Sequence, residues 1–266
     1  MSESSASLVV PEGARRRALS TRSRLPVTGA RCQVLGQLDA AARAQLEGEL
    51  FGLWSEFFHG LSREEFVATH LFDDTRLLLT YGYDGELAGF ANLNISRLHD
   101  EGKPHHVLHC GVFTRLKYDA IRSLVWLAVG EVLRLRLRHP LTPIAYVAVL
   151  TSPVAYRLFG WAGVRVYPAP NVVAPPHVER LLAALAEHRR LPVDPDDPWL
   201  VEFAVKQRNP KALKQSRCVR RSDPHMDFFA QRAPKWDQGW SLLSWMPMDT
   251  ANLLRGVWGL LVNKRR

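Results

Sequence analysis

Two apolar runs of strand length, residues 107–113 and 144–150, flank a helical stretch at 123–138, and this order constrains the fold more than any other feature of the chain. Strands joined through a helix lie parallel, because a parallel pair needs a long crossover and the crossover is right-handed. The helix carries one local conflict, Leu133-Arg134-Leu135-Arg136-Leu137-Arg138, which alternates with the period of a strand. Its length, the stop at Pro140 and the need for a crossover favour the helix. Residues 144–150 are almost wholly apolar, as a strand covered on both faces requires. The chain is therefore expected to be an α/β protein with a mixed sheet flanked by helices.

The segments around this unit extend it. From Asp39 onward, Leu46, Leu50, Leu53, Trp54, Phe57 and Phe58 recur at helical offsets up to Gly60, and Ser62 with Glu65 reads as the capping box of a second helix. Residues 77–83 and 87–95 flank Asp84-Gly85, a tight-turn signal that predicts a hairpin. Residues 99–104 read as a polar loop. A short helix at 152–159 and a strand at 164–167 complete the unit. Beyond Pro168, Pro170, Pro175 and Pro176 come a helix at 177–189, a strand at 199–205 and a basic run from Lys206 to Arg221. Trp236, Trp240, Trp245 and Trp258 follow, and an amphipathic helix at 250–263 is expected to pack on the body of the protein. Residues 1–30 read as a flexible basic tail, 31–170 as the main domain, and 171–266 as a C-terminal extension.

Thirty-five Lys and Arg against 26 Asp and Glu give a net charge of +9, which favours an anionic partner: nucleic acid, a phosphate-bearing cofactor, an acidic carrier protein or a lipid surface. The longest apolar runs fall short of the roughly 20 residues a membrane-spanning helix needs. Three widely spaced cysteines, Cys32, Cys110 and Cys218, form neither a CxxC pair nor a disulfide framework, and a cytoplasmic setting is expected. P-loop, dinucleotide, serine-hydrolase and zinc-protease motifs lack their minimal residues. His105 and His109, about 13 Å apart at roughly 3.3 Å per strand residue, cannot share one metal ion, so no metal is expected there.

The order helix, helix, hairpin, strand, helix, strand, short helix, strand over residues 32–168 resembles the GNAT superfamily of N-acyltransferases. In that family a V-x-P-x-x-R-G-x-G-x-G loop holds the pyrophosphate of acyl-CoA on backbone N–H groups and a helix N-terminus. The corresponding stretch here runs from Val112 through Phe113, Thr114, Arg115, Leu116, Lys117, Tyr118, Asp119, Ala120 and Ile121 to Arg122. Lys117 takes the arginine position, and Ala120 and Arg122 stand where glycines let phosphate approach. A second family stretch, N-x-x-A-x-x-L-Y-x-x-x-G-F, is similar to residues 152–164, with Ala155, Leu158 and Gly163 matching. The family tyrosine that protonates the leaving thiolate is Phe159 here, so its role is lost or moves to Tyr156.

The resemblance implies an acyltransferase with no bound cofactor. Its co-substrate would be an acyl thioester of phosphopantetheine, its acceptor an amine or hydroxyl of a small molecule or peptide. A backbone N–H at a bulge in the strand would stabilise the thioester oxygen. His109 is the candidate general base, a role weighed against that of a hydrogen-bonded structural histidine; His106 falls on the opposite face, and Cys110 is a weaker nucleophile candidate. Val112, Arg115, Lys117 and Arg122 are candidates for the donor's phosphate and backbone contacts. Trp54, Phe57 and Phe58 either line an acyl channel or pack as core. The donor is expected on an acyl carrier protein or acyl-CoA; the missing glycines point to the carrier, or a similarly anionic one, in preference to free acetyl-CoA, with Arg115, Arg134, Arg136 and Arg138 either giving one side a complementary field or scattered on unrelated faces. The competing expectation is a non-catalytic GNAT-like binding module that contacts nucleic acid or a membrane surface.

Overall fold

The computed structural model describes residues 24–161, 163–202, 206–207 and 223–262. Seven strands form one mixed sheet: β1 (Gly29–Val34), β3 (Arg76–Tyr81), β4 (Leu87–Asp100), β5 (Lys103–Thr114), β6 (Ile144–Leu150), β9 (Trp240–Pro247) and β7 (Leu200–Glu202), in that spatial order. A separate pair joins β2 (Phe58–His59) to β8 (Lys206–Gln207). Among the described strands only β5 and β6 run parallel, and the helix between them, α3 (Ala120–Arg138), is the expected crossover.

Local chemistry sets most element ends. Asp39 accepts the Ala42 N–H at the start of α1 (Ala40–Ser55), and Ser62 and Glu65 form both bonds of a capping box on α2 (Arg63–His70). Gly85, at φ +75°, closes the β3–β4 hairpin, in a conformation that costs glycine little. The expected polar loop at 99–104 is instead the end of a second, longer hairpin. Glu101 and Gly102, both at positive φ, turn the chain so that Asp100 pairs with Lys103. A polar loop and two wet strand tips read alike in sequence.

Strand alternation divides the core. Leu78, Ala91, Leu93, Leu108 and Cys110 point to α3 and bury Leu124, Val132 and Leu135. On the opposite face Leu77, Leu79 and Phe90 meet α1 and α2 through Leu50, Leu53, Trp54 and Phe66. Farther along that face, Val107, Ala145 and Val147 meet α5 (Pro176–Arg189) through Leu181, Leu182 and Leu185. The seam between the α1–α2 layer and α5 lies over the middle of β4 and β5.

Several expectations are corrected. The N-terminal boundary at residue 30 cuts through β1, and Leu25 already donates its N–H to the Lys117 carbonyl and accepts that of Asp119. Residues 1–23 lie outside the described residues. Residues 164–167 form no strand; Tyr167 makes an isolated bridge to Trp245. The strand expected at 199–205 is described only as β7, and most of the basic run from Lys206 to Arg221 lies outside the described residues. Strand β9, unforeseen, pairs antiparallel with β6 from Ala145↔Pro247 to Leu150↔Leu242, so strands from beyond residue 171 belong to the same sheet. The short helix α4 (Pro153–Trp161) packs against α6 (Pro224–Arg232), with Tyr156 against Phe228 and Phe229.

The last helix, α7 (Thr250–Val262), is tied down at its first turn. Buried Asn252 accepts the Arg165 N–H at 2.7 Å and donates to the carbonyls of Arg165 and Pro247. Leu253 packs against the core, whereas Leu254 and Trp258 are 65% and 69% exposed. No helix among the described residues is long and apolar enough to cross a membrane.

Candidate active site

The parallel pairing of β5 and β6 is short. It begins at His106↔Ile144 and ends at His109↔Val147, although β5 continues to Thr114 and β6 to Leu150. Past that point β5 stays paired to β4 as far as Gly89↔Thr114, and β6 to β9 as far as Leu150↔Leu242. The two central strands thus part company, each held by its outer neighbour, and the sheet opens into a wedge. The His106 N–H bonds the Pro143 carbonyl on the β6 side. By two-residue alternation the Val112 N–H faces the same side, beyond the last β6 partner. The β4–β5 register has no shift, so the Val112 N–H passes beyond the β6 pairing by strand divergence and not at the expected bulge.

Tyr146 stands at the wedge on the α3 side. Its hydroxyl is 3.5 Å from the Cys110 carbonyl oxygen, and its ring centre is 6.5 Å from that of Phe159. Burial, followed by the neighbouring Cys110, raises this phenol well above the usual tyrosine range. Burial also pushes the Cys110 thiol up to about 12, which keeps it protonated at neutral pH and removes the nucleophilic role considered for it.

On the other face of β4 and β5, at the seam, lies a buried polar patch. Asn92, Asn94 and Ser96 alternate along β4 opposite Gly111, His109 and Val107. Asn92 accepts the Gly111 N–H at 2.9 Å and donates to the His70 carbonyl, and Asn94 accepts the Thr75 hydroxyl at 2.6 Å. His109 retains some solvent contact, yet neither ring nitrogen has a hydrogen-bond partner among the described residues. Burial, with the Arg189 guanidinium and His70 behind it, pulls His109 down to about 4. His70, stacked on Phe66, is also held at about 4, chiefly by burial. Both rings are neutral at pH 7, and a neutral imidazole can accept a proton.

The other expected site residues divide between the wedge and the scaffold. His109 and Val112 lie at the wedge. The Tyr156 hydroxyl, in contrast, donates to the Pro168 carbonyl at 2.8 Å within a closed aromatic cluster. Arg115 is held by Glu56 and Glu86 and donates to the Leu87 carbonyl, and Lys117 pairs with Glu86. Arg122 is exposed at the first turn of α3, whose N-cap Asp119 makes no side-chain cap. The expected common arginine face does not form. Arg134 is bound to Glu131, Arg136 donates to the carbonyls of Pro140, Thr142 and Met248, and Arg115 is committed at the far end of the domain. Trp54 is buried, and Phe57 and Phe58 pack against its cluster. His106 is on the opposite face, its ring 4.6 Å from that of His139.

Asn92, Asn94, Ser96, Arg189 and Tyr146 were not singled out from sequence. The β4 trio had a signal: polar residues at every second position of an otherwise apolar run. Arg189 had none, since a cation in the last turn of a helix is ordinary dipole complementation.

No family model matches the chain, and no curated protein matches it in sequence. Among solved structures, it is similar to a probable N-acyltransferase of Enterococcus faecalis V583 (13% identity, TM-score 0.36), over 50% of this chain and 32% of that one. The chain thus spans about a third of that protein's length. It is also similar to TofI, solved with an inhibitor and MTA (14% identity, TM-score 0.43, 86% of this chain and 97% of the other). An acyl-CoA N-acyltransferase of Pseudomonas aeruginosa gives 17% identity and a TM-score of 0.35 over 53% and 90% of the two chains. A mixed seven-stranded sheet flanked by helices, its single parallel pair joined through a crossover helix and then parting, gives this chain a GNAT-like fold.

Proposed function

We propose that this protein transfers an acyl group from a pantetheine thioester to an amine, with the thioester seated in the wedge between β5 and β6. The observation that carries this reading is the wedge itself, where among the described residues the β6 pairing stops short of Val112 and leaves its N–H edge unladdered, with Tyr146 on one side and His109 on the other. The acceptor nitrogen attacks the thioester carbonyl carbon, and its lone pair becomes the new C–N bond. Negative charge then collects on the carbonyl oxygen, where the Val112 N–H stabilises it. Neutral His109 takes a proton from the attacking nitrogen. Collapse of the intermediate breaks the C–S bond, the Tyr146 hydroxyl protonates the departing thiolate, and the proton taken up by His109 returns to the tyrosinate through solvent, restoring both groups. Tyr146 replaces Tyr156 in this role because the Tyr156 hydroxyl is held by Pro168 at 2.8 Å within an aromatic cluster, whereas the Tyr146 hydroxyl makes a long 3.5 Å bond to the Cys110 carbonyl and its ring lies beside Phe159, the position of the family's acid.

The donor we propose is an acyl carrier protein. Where free coenzyme would place its pyrophosphate, the Asp119 N–H is bonded to the Leu25 carbonyl, and Ala120 is fully buried. A carrier-bound pantetheine asks for less, a single phosphodiester. The solvent face of α3 suits such a partner: Trp126, Leu133 and Leu137 are exposed at helical spacing, with exposed Arg122 and Arg138 at either end. An apolar centre with a basic rim fits an acidic protein.

Thiol release should be followed with acylated carrier protein and with the matching acyl-CoA, at low and high salt and with a mixture of amines. The expected result is amine-dependent release with the carrier, weakened by salt as screening shortens the electrostatic reach. Preference for acyl-CoA, or equal carrier affinity at both salt concentrations, would remove the carrier. No release from any thioester would turn the reading toward a binding module.

A further inference from the structure

Arg189 is a cation in an unusual position. It is the last residue of α5, its side chain is only 8% exposed, and it reaches into the seam beside the polar patch. Its Nε donates to the Ser96 hydroxyl at 3.1 Å, and the guanidinium lies over the Phe72 ring at 4.8 Å. The terminal nitrogens donate no hydrogen bond among the described residues. The nearest carboxylate, Asp74, stays 4.0 Å away and is itself 62% exposed. Burying a guanidinium while leaving its donors unused is costly unless something else fills them. The groups facing it from the surrounding elements are Ser96 of β4, His109 of β5, and Phe72 and Asp74 of the loop after α2.

We propose that Arg189 binds the carboxylate of the acceptor, and that the acceptor is an α-amino acid. The guanidinium fork matches a carboxylate through two parallel N–H···O bonds. In an α-amino acid the amine is one carbon removed from that group, so anchoring the carboxylate beside His109 presents the nitrogen to the base. The same charge disfavours cationic acceptors such as polyamines. The identity of the amine as nucleophile rests on the acyl-transfer reading; the carboxylate site does not.

The test uses the full chain with a panel of α-amino acids, their amides, and the corresponding amines without a carboxylate. In the wild type, kcat/KM for the amides should fall about 10²-fold below that for the acids, the range for losing a charged hydrogen-bonded partner. Arg189→Gln should abolish that preference, bringing the ratio of acid to amide kcat/KM close to one; Arg189→Lys, which keeps the charge without the fork, should fall between Arg189→Gln and the wild type. Amino acid and amide turned over alike by the wild type, or a preference that survives Arg189→Gln, would overturn the proposal while acyl transfer stands. If no thioester is turned over, calorimetric titration of the same amino acids and amides, with and without a thioether analogue of the donor, decides it. Carboxylate-dependent binding lost in folded Arg189→Gln and weakened in Arg189→Lys supports the site, and carboxylate-dependent binding that survives Arg189→Gln, or binding that does not depend on the carboxylate in the wild type, refutes it.

Discussion

His109→Ala is expected to lower turnover by about 10² to 10⁴, the usual contribution of a positioned general base, while the variant folds. The wild-type acid limb of kcat/KM should lie near pH 4 and not at 6.5, because burial holds the imidazole neutral down to about that value. The same shift makes His109 a source of acid lability. As pH falls from 6.5, the unfolded chain takes up the proton first, so stability held above pH 6.5 drains away until about 4. At about 1.4 kcal/mol per pK unit this amounts to roughly 3 kcal/mol, and His70 adds a similar loss. His109→Ala should therefore flatten the stability profile between pH 6.5 and 4. Wild-type turnover in a folded variant would remove His109 from the mechanism.

Trp54→Ala carries the largest expected loss of stability. Trp54 is 2% exposed, stacks on Phe51 and Phe58 with ring centres 5.8 and 5.7 Å away, and tilts against Phe66 at 5.4 Å. Removing so large a side chain from a closed cluster costs about 3–5 kcal/mol. Because the Trp54 ring also touches that of His70, whose carbonyl holds Asn92, the loss should reach the polar patch as well. Urea unfolding measures the first effect. A small change in stability with an altered acyl-length preference would instead mean that Trp54 lines a channel.

The features legible in the sequence are those whose cause is local. Ser62 with Glu65, and Asp84-Gly85, specify their cap and turn within four residues, and the apolar runs around α3 specify a crossover by length alone. Strand β9 hid because it lies between β6 and β7, where partners on both edges and cover on its faces replace a clean alternation with the run Trp240-Ser241-Leu242-Leu243-Ser244-Trp245. Strand β1 hid for the opposite reason: as an edge strand with exposed Arg31 and Cys32 it has little apolar pattern to read. The wedge is a property of pairing, set by where β4 and β9 hold the two central strands, and no single segment encodes it. His109 was accessible because a histidine in an apolar strand stands out, whereas the depression of its basicity comes chiefly from burial and next from Arg189, 80 residues away in sequence, neither of which the local sequence shows.

The most direct measurement of the central claim is a crystal structure with a non-hydrolysable thioether analogue of acyl-pantetheine. The pantetheine should enter between residues 110–114 and 148–150, with its carbonyl oxygen on the Val112 N–H, its sulfur near the Tyr146 hydroxyl and the His109 face left open for the acceptor. Density for the analogue elsewhere, as in the 430 Å³ groove lined by Arg136, Arg165, His177 and Asp249, with β5 and β6 unoccupied, would contradict it.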